Sequence, residues 1–379
     1  MKKKILIISP TPILPIDSGN RACIYSYIEM LTALDYDVYY LWVKSTYNKQ
    51  IDDESLMKNY WKDKLFIFNK YKPHQVVEFL YRKFRFNTKG NFHIDDIYPF
   101  GLNGYIEKIK KDHKFSSVIV NYVFLSKALN RFKESKKLLY THDVFTNKYR
   151  HTGLKWFSVD AVNESKALER ADEILAIQEN EAIFYSYLVK KKIRTTYSFF
   201  PVTETDYVEN KNLLILSGSN QHNIDGIDFL IEKVFPELNK IDSEIKIIIG
   251  GGICSYLEKK KIENTNISLY GRVDELSDFY KLGNICINPV FDGTGLKIKS
   301  FEALSFGKVL ISHPHNTLGI YNKERAPILI AMSATEYINQ ILRVISDKKL
   351  ILEFKQKSYA YIHELNDVVK QNFVEAIES

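Results

Sequence analysis

Cysteine is scarce in this chain, three among 379 residues. Cys23, Cys254 and Cys286 lie far apart, and no pair has metal-ligand or redox spacing. A disulfide scaffold is thereby excluded, and a reducing cytoplasm is the expected location. Proline and glycine are also few, 10 and 16, and scattered, which excludes a long linker or a low-complexity tract. No repeat of solenoid period is present. No apolar stretch approaches the roughly 20 residues that span a bilayer, so membrane contact is expected to be peripheral, on the inner face. The opening "MKKKILIISPTPILPIDSG" has the basic start of a signal peptide. Pro10, Pro12 and Pro15 break its apolar run, however, and no small-residue cleavage site follows. It reads as a buried first strand.

What is present is globular: 45% hydrophobic and 26% charged residues. The length suggests roughly two to three domains of about 150 residues. A net charge of +7 favours anionic partners such as nucleotides, lipid phosphates or nucleic acid. The lysine triplets Lys2–Lys4, Lys190–Lys192 and Lys259–Lys261 read as solvated surface.

Short apolar runs alternate with helical patterns. "KILIISP", "DVYYLWV", "SSVIVNY", "KKLLYTH" and "DEILAIQ" read as buried strands, with an amphipathic helix near Ala22–Leu34. The pattern then restarts with "NLLILSGS", "EIKIIIGGG", "NISLYGR", "ICINPV", "KVLISH" and "APILIAM". Continuous apolar strands between helices mean βα units and parallel sheets covered on both faces. The predicted architecture is α/β, with two Rossmann-like, doubly wound domains facing a cleft. The joint falls in the polar "SFFPVTETDYVENKN", Ser198–Asn212. The first domain is expected over 1–205 and the second over 206–356. A final helix, about 357–379, is expected to pack back on the first.

The stretch "FDGTGLKIKSFEALSFGK" follows the strand "ICINPV". Gly293 and Gly295, flanking Thr294, let backbone N–H groups approach a ligand. A helix beginning near Leu296 would aim its positive end at the same point. Lys297 and Lys299 add two full charges. Ile298, Phe301 and Leu304 would face the sheet, and Glu302 falls off that stripe, free to accept hydrogen bonds from sugar hydroxyls. Together these parts suit a diphosphate joined to a sugar and a ribose. A plain glycine turn followed by surface lysines is the alternative.

"PVFDGTGLKIKSFEALSFGKVLIS" resembles the donor-binding segment of the retaining glycosyltransferases of GT-B fold, glycosyltransferase family 4 (group 1). "LLILSGSNQHNIDGIDFLIEKVFPEL", "ISLYGRVDELSDFY" and "ALERADEILAIQENEA" resemble further segments of that family. The likeness covers most of Asn212–Gly319 and is mainly topological before it. It implies a UDP-, GDP- or dTDP-sugar donor, a glycan or lipid-linked acceptor, retention of anomeric configuration, and no metal or other cofactor. It assigns Lys297, Glu302 and His142 to catalysis. It assigns Gly218, Ser219, Asn223, Arg272, Gly293, Thr294, Gly295, Leu296 and Lys299 to the donor. Two departures stand out. Thr294 occupies a position where many members carry glutamate. "GSNQHN", Gly218–Asn223, lacks the arginine and lysine common there, so the resemblance implies that Lys297, with Lys299 or Arg272, supplies the charge.

In "LLYTHDVFTNKYR", His142 ends a strand beside Asp143, which is either part of an acceptor- or phosphate-binding loop or a helix-capping residue. The resemblance implies that His142 hydrogen-bonds the donor sugar. In "PIDSGNRACIY", Ser18, Gly19 and Arg21 form either a phosphate-binding loop or an ordinary strand-to-helix turn. "FLYRKFRFNTKGNF", Phe79–Phe92, interleaves aromatic and basic residues. It suits an anionic membrane surface, single-stranded nucleic acid, or the basic side of a core helix. The resemblance favours the membrane, and nucleic acid is not the expected partner. The Asp-x-Asp of "ALDYDVYY", Asp35 and Asp37, lies before a strand and reads as a turn, not a metal site. The function expected is glycosyl transfer in cell-surface polysaccharide or glycoconjugate synthesis. A nucleotide-sugar epimerase of the same fold and a non-catalytic nucleotide-sugar or nucleic-acid binder are the alternatives.

Overall fold

The computed structural model describes residues 2–379 apart from 17, 45–53, 70–75, 77–79, 81–82, 85–91, 149, 151–156, 262–265 and 294–295. The chain divides into two compact units, Met1–Phe199 with Val368–Ser379, and Phe200–Asp367.

The first unit is built on β1 (Lys4–Ser9), β2 (Asp37–Val43), β3 (Leu65–Phe68), β4 (Ser117–Asn121), β5 (Lys136–Tyr140), β6 (Glu173–Ala176) and β7 (Lys192–Thr195). They form one seven-stranded sheet in the order β3-β2-β1-β4-β5-β6-β7. Every pairing is parallel, with Ile7 opposite Tyr40 on one side and Ile119 on the other. Ile5, Leu6, Ile7 and Ile8 are fully buried, as a strand covered on both faces requires. Two strands were not foreseen. β7, "KIRT", has no apolar run, and it is an edge strand paired only with β6. β3 is a four-residue edge strand, mostly half-buried and too short to show a period. The Asp-x-Asp is a turn: Asp35 has a left-handed φ of 67° and pairs with Lys2, while Asp37 pairs with Lys64 at 2.6 Å.

Helix α1 (Gly19–Ala33) follows β1. The last residues of the chain hold to this unit through specific contacts. Phe373 stacks on Tyr27 with ring centroids 5.2 Å apart, and Asn372 donates to the Thr195 carbonyl at 2.9 Å. Arg194 bridges Glu173 at 2.8 Å and Glu375 at 2.5 Å. The C-terminal helix begins at Lys348, earlier than expected, and runs to Glu378.

The second unit is built on β8 (Asn212–Leu216), β9 (Lys246–Gly250), β10 (Ile267–Gly271), β11 (Ile285–Asn288), β12 (Val309–Ser312) and β13 (Ile328–Ile330). Its six parallel strands take the order β10-β9-β8-β11-β12-β13. The order reverses between β8 and β11. The loops leaving those two strands diverge, and a crevice opens at their carboxyl ends. Helix α2 (Gln221–Phe229) follows β8, and the Asn220 side chain caps it by accepting the Asn223 N–H. Helix α3 (Ile298–Ser305) follows β11. It starts two residues later than expected and buries Ser300, Phe301, Ala303 and Leu304, while Ile298 is only half-buried. Ser300 accepts from Asn288 Nδ2 at 3.0 Å, which turns that face toward β11.

Two glycines permit the crevice. A Cβ on Gly226 would lie 3.0 Å from the Pro289 carbonyl oxygen, so α2 can approach the loop after β11 only without a side chain there. Gly251 has a φ of +93°, and a Cβ would meet the Ser217 carbonyl oxygen at 2.4 Å. Gly251→Ala is therefore expected to destabilise the second unit by about 2–4 kcal/mol, from backbone strain and steric overlap together. Urea denaturation followed by tryptophan-independent circular dichroism measures this. An unchanged midpoint would contradict the packing described.

Candidate functional site

In the second unit the ends of β8 and β11 enclose a small cavity of about 20 Å³, lined by Ser217, Tyr280, Cys286, Asn288, Lys299 and Ala303 among others. This is room for about one water molecule. Lys299 reaches into it from α3 and donates to Ser217 Oγ at 3.2 Å. Burial lowers the Lys299 ammonium to about 8, against the opposing pull of Glu302. Burial likewise raises Glu302 to about 7, with Lys299 drawing it back. Lys297, at the mouth of α3, donates to the Gly293 carbonyl at 3.2 Å. Its pKa is lowered by burial and only partly restored by Asp292. Among the described residues, neither lysine has a carboxylate within ion-pair distance, and no hydrogen bond reaches the Glu302 carboxylate. Two half-buried cations with no direct ion pair, their burial only partly offset by Asp292 and Glu302, form a site that favours an anion.

The surrounding backbone is held in place. Gly293 has a φ of +112° and donates its N–H to Asp292 Oδ1 at 2.7 Å. Asn223 Nδ2 donates to the Gly218 carbonyl at 3.1 Å, closing the turn between β8 and α2. The Ile253 N–H binds the Ser217 carbonyl at 3.2 Å from behind. Ser219 is exposed and Leu296 half-buried. Gly218, Ser219, Asn223, Gly293, Leu296, Lys297, Lys299 and Glu302 thus flank the switch point between β8 and β11. Arg272 does not join them. It follows β10, beyond β9, where it is exposed and paired with Asp274 at 2.7 Å. Thr294 and Gly295 lie outside the described residues. His222, His313, His315 and Asp292 were not singled out from the sequence. His222 Nδ1 lies 3.3 Å from Asp292, and His315 Nε2 lies 3.2 Å from Lys297 Nζ. No local spacing signals these contacts, because they join loops from different strands.

In the first unit His142 follows β5. Its Nε2 lies 2.8 Å from Asn121 Oδ1, and its ring stacks on Tyr122 at 4.4 Å and tilts against Tyr140 at 4.7 Å. Asn121 donates its amide to Tyr27 at 2.9 Å, so its oxygen faces the imidazole and Nε2 carries the proton. Burial lowers His142 to about 3, so the ring is neutral, with an unprotonated Nδ1 able to accept. Tyr122 holds a φ of 72°, a strained conformation for an aromatic residue at a strand end. Asp143 pairs with Lys148.

The turn before α1 differs from its phosphate-loop reading. Ser18 Oγ donates to Asn20 Oδ1 at 2.8 Å and makes no capping bond. Arg21 is 1% exposed, and its guanidinium donates to the carbonyls of Leu14 and Pro15 at 3.2 and 3.1 Å. A guanidinium so enclosed fastens the loop onto α1, whose first residue is Gly19. Of Phe79–Phe92, only Leu80, Lys83, Phe84 and Phe92 are described. Phe92 is buried, and the other three are exposed. Among the described residues no group of three or more His, Cys, Asp or Glu side chains could hold a metal ion. None of their helices is long and apolar enough to cross a membrane.

Residues 211–347 match the family model described as Glycosyl transferases group 1. A Klebsiella pneumoniae protein, "Uncharacterized 44.6 kDa protein in cps region", is 23% identical over 404 residues, covering 97% of each chain. Among solved structures, Anabaena Alr3699/HepE in complex with UDP superposes with a TM-score of 0.70 at 11% identity, covering 100% of both chains. S. aureus TarM, solved as a mutant with fondaparinux, α-GlcNAc-glycerol and UDP, gives 0.67 at 13% identity, also covering 100% of both. The pneumococcal O-GlcNAc transferase GtfA, with UDP and GlcNAc, gives 0.65 at 11% identity, covering 100% of this chain and 99% of the other. The chain has the GT-B fold, and its residues 211–347 are similar to the Glycosyl transferases group 1 family.

Proposed function

We propose that this chain is a retaining glycosyltransferase. It moves a sugar from a UDP-, GDP- or dTDP-sugar to a glycan or lipid-linked acceptor in cell-surface polysaccharide synthesis. The observation that carries the reading is the pair Lys297 and Lys299, withdrawn from water at the switch point with no carboxylate within ion-pair distance among the described residues and only partly compensated by Asp292 and Glu302. The diphosphate of a nucleotide sugar supplies the missing charge. The family match, the UDP held by the structural neighbours, and the "cps region" in the name of the Klebsiella protein all support it.

The chemical difficulty is breaking the anomeric C–O bond as the diphosphate departs. Lys297 and Lys299 stabilise the charge that grows on the leaving oxygen, so the reading takes its cations from side chains. Glu302 accepts from ribose hydroxyls. His142 is the sugar-binding group of the first unit, accepting through Nδ1. The acceptor hydroxyl attacks from the face the diphosphate leaves, and its proton passes to that phosphate. The configuration is thereby retained.

A panel of uridine, guanosine and thymidine diphosphate sugars, scored by thermal shift and by release of free nucleotide, tests the donor. An isomer of the donor formed without acceptor would identify an epimerase instead. Lys297→Ala is expected to lower transfer by about two orders of magnitude or more while folding normally. Near-normal turnover would remove Lys297 from the mechanism.

The peripheral membrane contact belongs to the same proposal. Val76, Leu80 and Phe84 are helical, spaced by four, and 58%, 58% and 70% exposed, with exposed Lys83 beside them. That is an apolar row with a basic neighbour, suited to an anionic lipid surface. Changing both Leu80 and Phe84 to Asp is expected to weaken binding to phosphatidylglycerol vesicles about tenfold or more. Sedimentation with the vesicles reads this directly, and unchanged binding would refute the contact.

A further inference from the structure

Histidines crowd the lysine on which the donor reading depends. His315, in the loop after β12, holds Nε2 2.8 Å from the Gly293 carbonyl oxygen and 3.2 Å from Lys297 Nζ. Lys297 Nζ is itself 3.2 Å from that same oxygen. A carbonyl oxygen only accepts, so Nε2 carries a proton, and His315 and Lys297 are two donors on one acceptor. The His315 backbone N–H binds Nδ1 of His313 at 3.2 Å, which sets the approach of the loop. The charged and titratable groups facing His315 are Lys297 before α3, Asp292 after β11, His222 on α2, and His313 on its own loop. Burial first, and Lys297 second, hold the His315 imidazole below its ordinary value. It is neutral near pH 7 in the free protein, and Nδ1 is the nitrogen left to titrate.

We propose that His315 takes up a proton at Nδ1 when a diphosphate binds beside Lys297, and so supplies positive charge that Gly218–Asn223, lacking arginine and lysine, does not. This rests on the donor reading. Without an anion, a second cation 3.2 Å from Lys297 is repelled and the imidazole stays neutral. A bound diphosphate reverses that balance and raises the imidazole pKa. A group whose pKa is raised by a ligand makes binding tighter as pH falls. The gain begins at the bound-state pKa and levels off below the free-state pKa.

The test is calorimetric titration of the intact chain with UDP-glucose, GDP-mannose and dTDP-glucose, whose phosphodiester oxygens do not titrate near neutrality. The donor that binds is expected to bind about tenfold tighter at about pH 5.5 than at about pH 7.5. Binding between those limits takes up close to one proton, read in two buffers of different ionisation heat. His315→Gln keeps an N–H donor for the Gly293 oxygen but no titratable charge, so it should lose about one proton of uptake and the matching part of the slope, leaving only what Glu302 and Lys299 contribute. Wild-type binding without pH dependence or proton uptake overturns the role of His315 and leaves the donor reading standing. A pH slope and proton uptake that survive undiminished in His315→Gln do the same. Failure of all three nucleotide sugars to bind at any pH overturns the donor reading, and this proposal with it.

Discussion

Two ammonium groups removed from water without a direct ion pair among the described residues set the terms for the second unit. Burying a cation is costly unless it is paired. The cost is visible here as the lowered pKa values of Lys297 and Lys299. Nothing in the packing of α3 needs those charges, since its buried face is Ser300, Phe301, Ala303 and Leu304. The rest of the site follows from holding them in place. Gly226 and Gly251 bring α2 and the loop after β9 close enough to wall the crevice. Ser217 and the Gly293 carbonyl give each lysine one neutral partner, which orients it without neutralising it.

The first unit shows the opposite treatment of a charge. Arg21 is as basic as either lysine, yet it is enclosed and bonded to the backbone carbonyls of Leu14 and Pro15. Its charge serves the fold. His142, by contrast, lies between two tyrosines and is kept neutral by burial, with one nitrogen fixed on Asn121 and the other left to accept. A neutral imidazole presented in this way suits hydroxyl groups better than phosphates. The two units therefore offer different chemistry, an accepting imidazole in one and unpaired cations in the other.

Much of this was legible in the sequence because it is local. A buried parallel strand must be apolar along its length, so "KILIIS" and "NLLIL" announce themselves. The run "GTGLKIKSFEAL" places glycine, lysine and glutamate where a strand gives way to a helix, and that order suffices to suggest an anion site. β7 escaped because an edge strand is covered less and can be polar. Arg21 was misjudged for a related reason. Its neighbours in sequence suggest an open turn, and only the folded loop reveals the carbonyls it binds.

The amino-acid order alone determined the α/β alternation, the restart that makes two units, and the glycine–lysine run at the start of a helix. Those properties depend on runs and spacings within one element. Which strand lies beside which was decided only by the tertiary structure. The placement of β12 next to β11 brings His315 to Lys297, 18 residues away, and the pairing of β4 with β5 brings Asn121 to His142, 21 residues away. Such contacts join the ends of neighbouring strands, and they arise when hydrogen bonding between backbones sets the strand order, which no local pattern of side chains encodes.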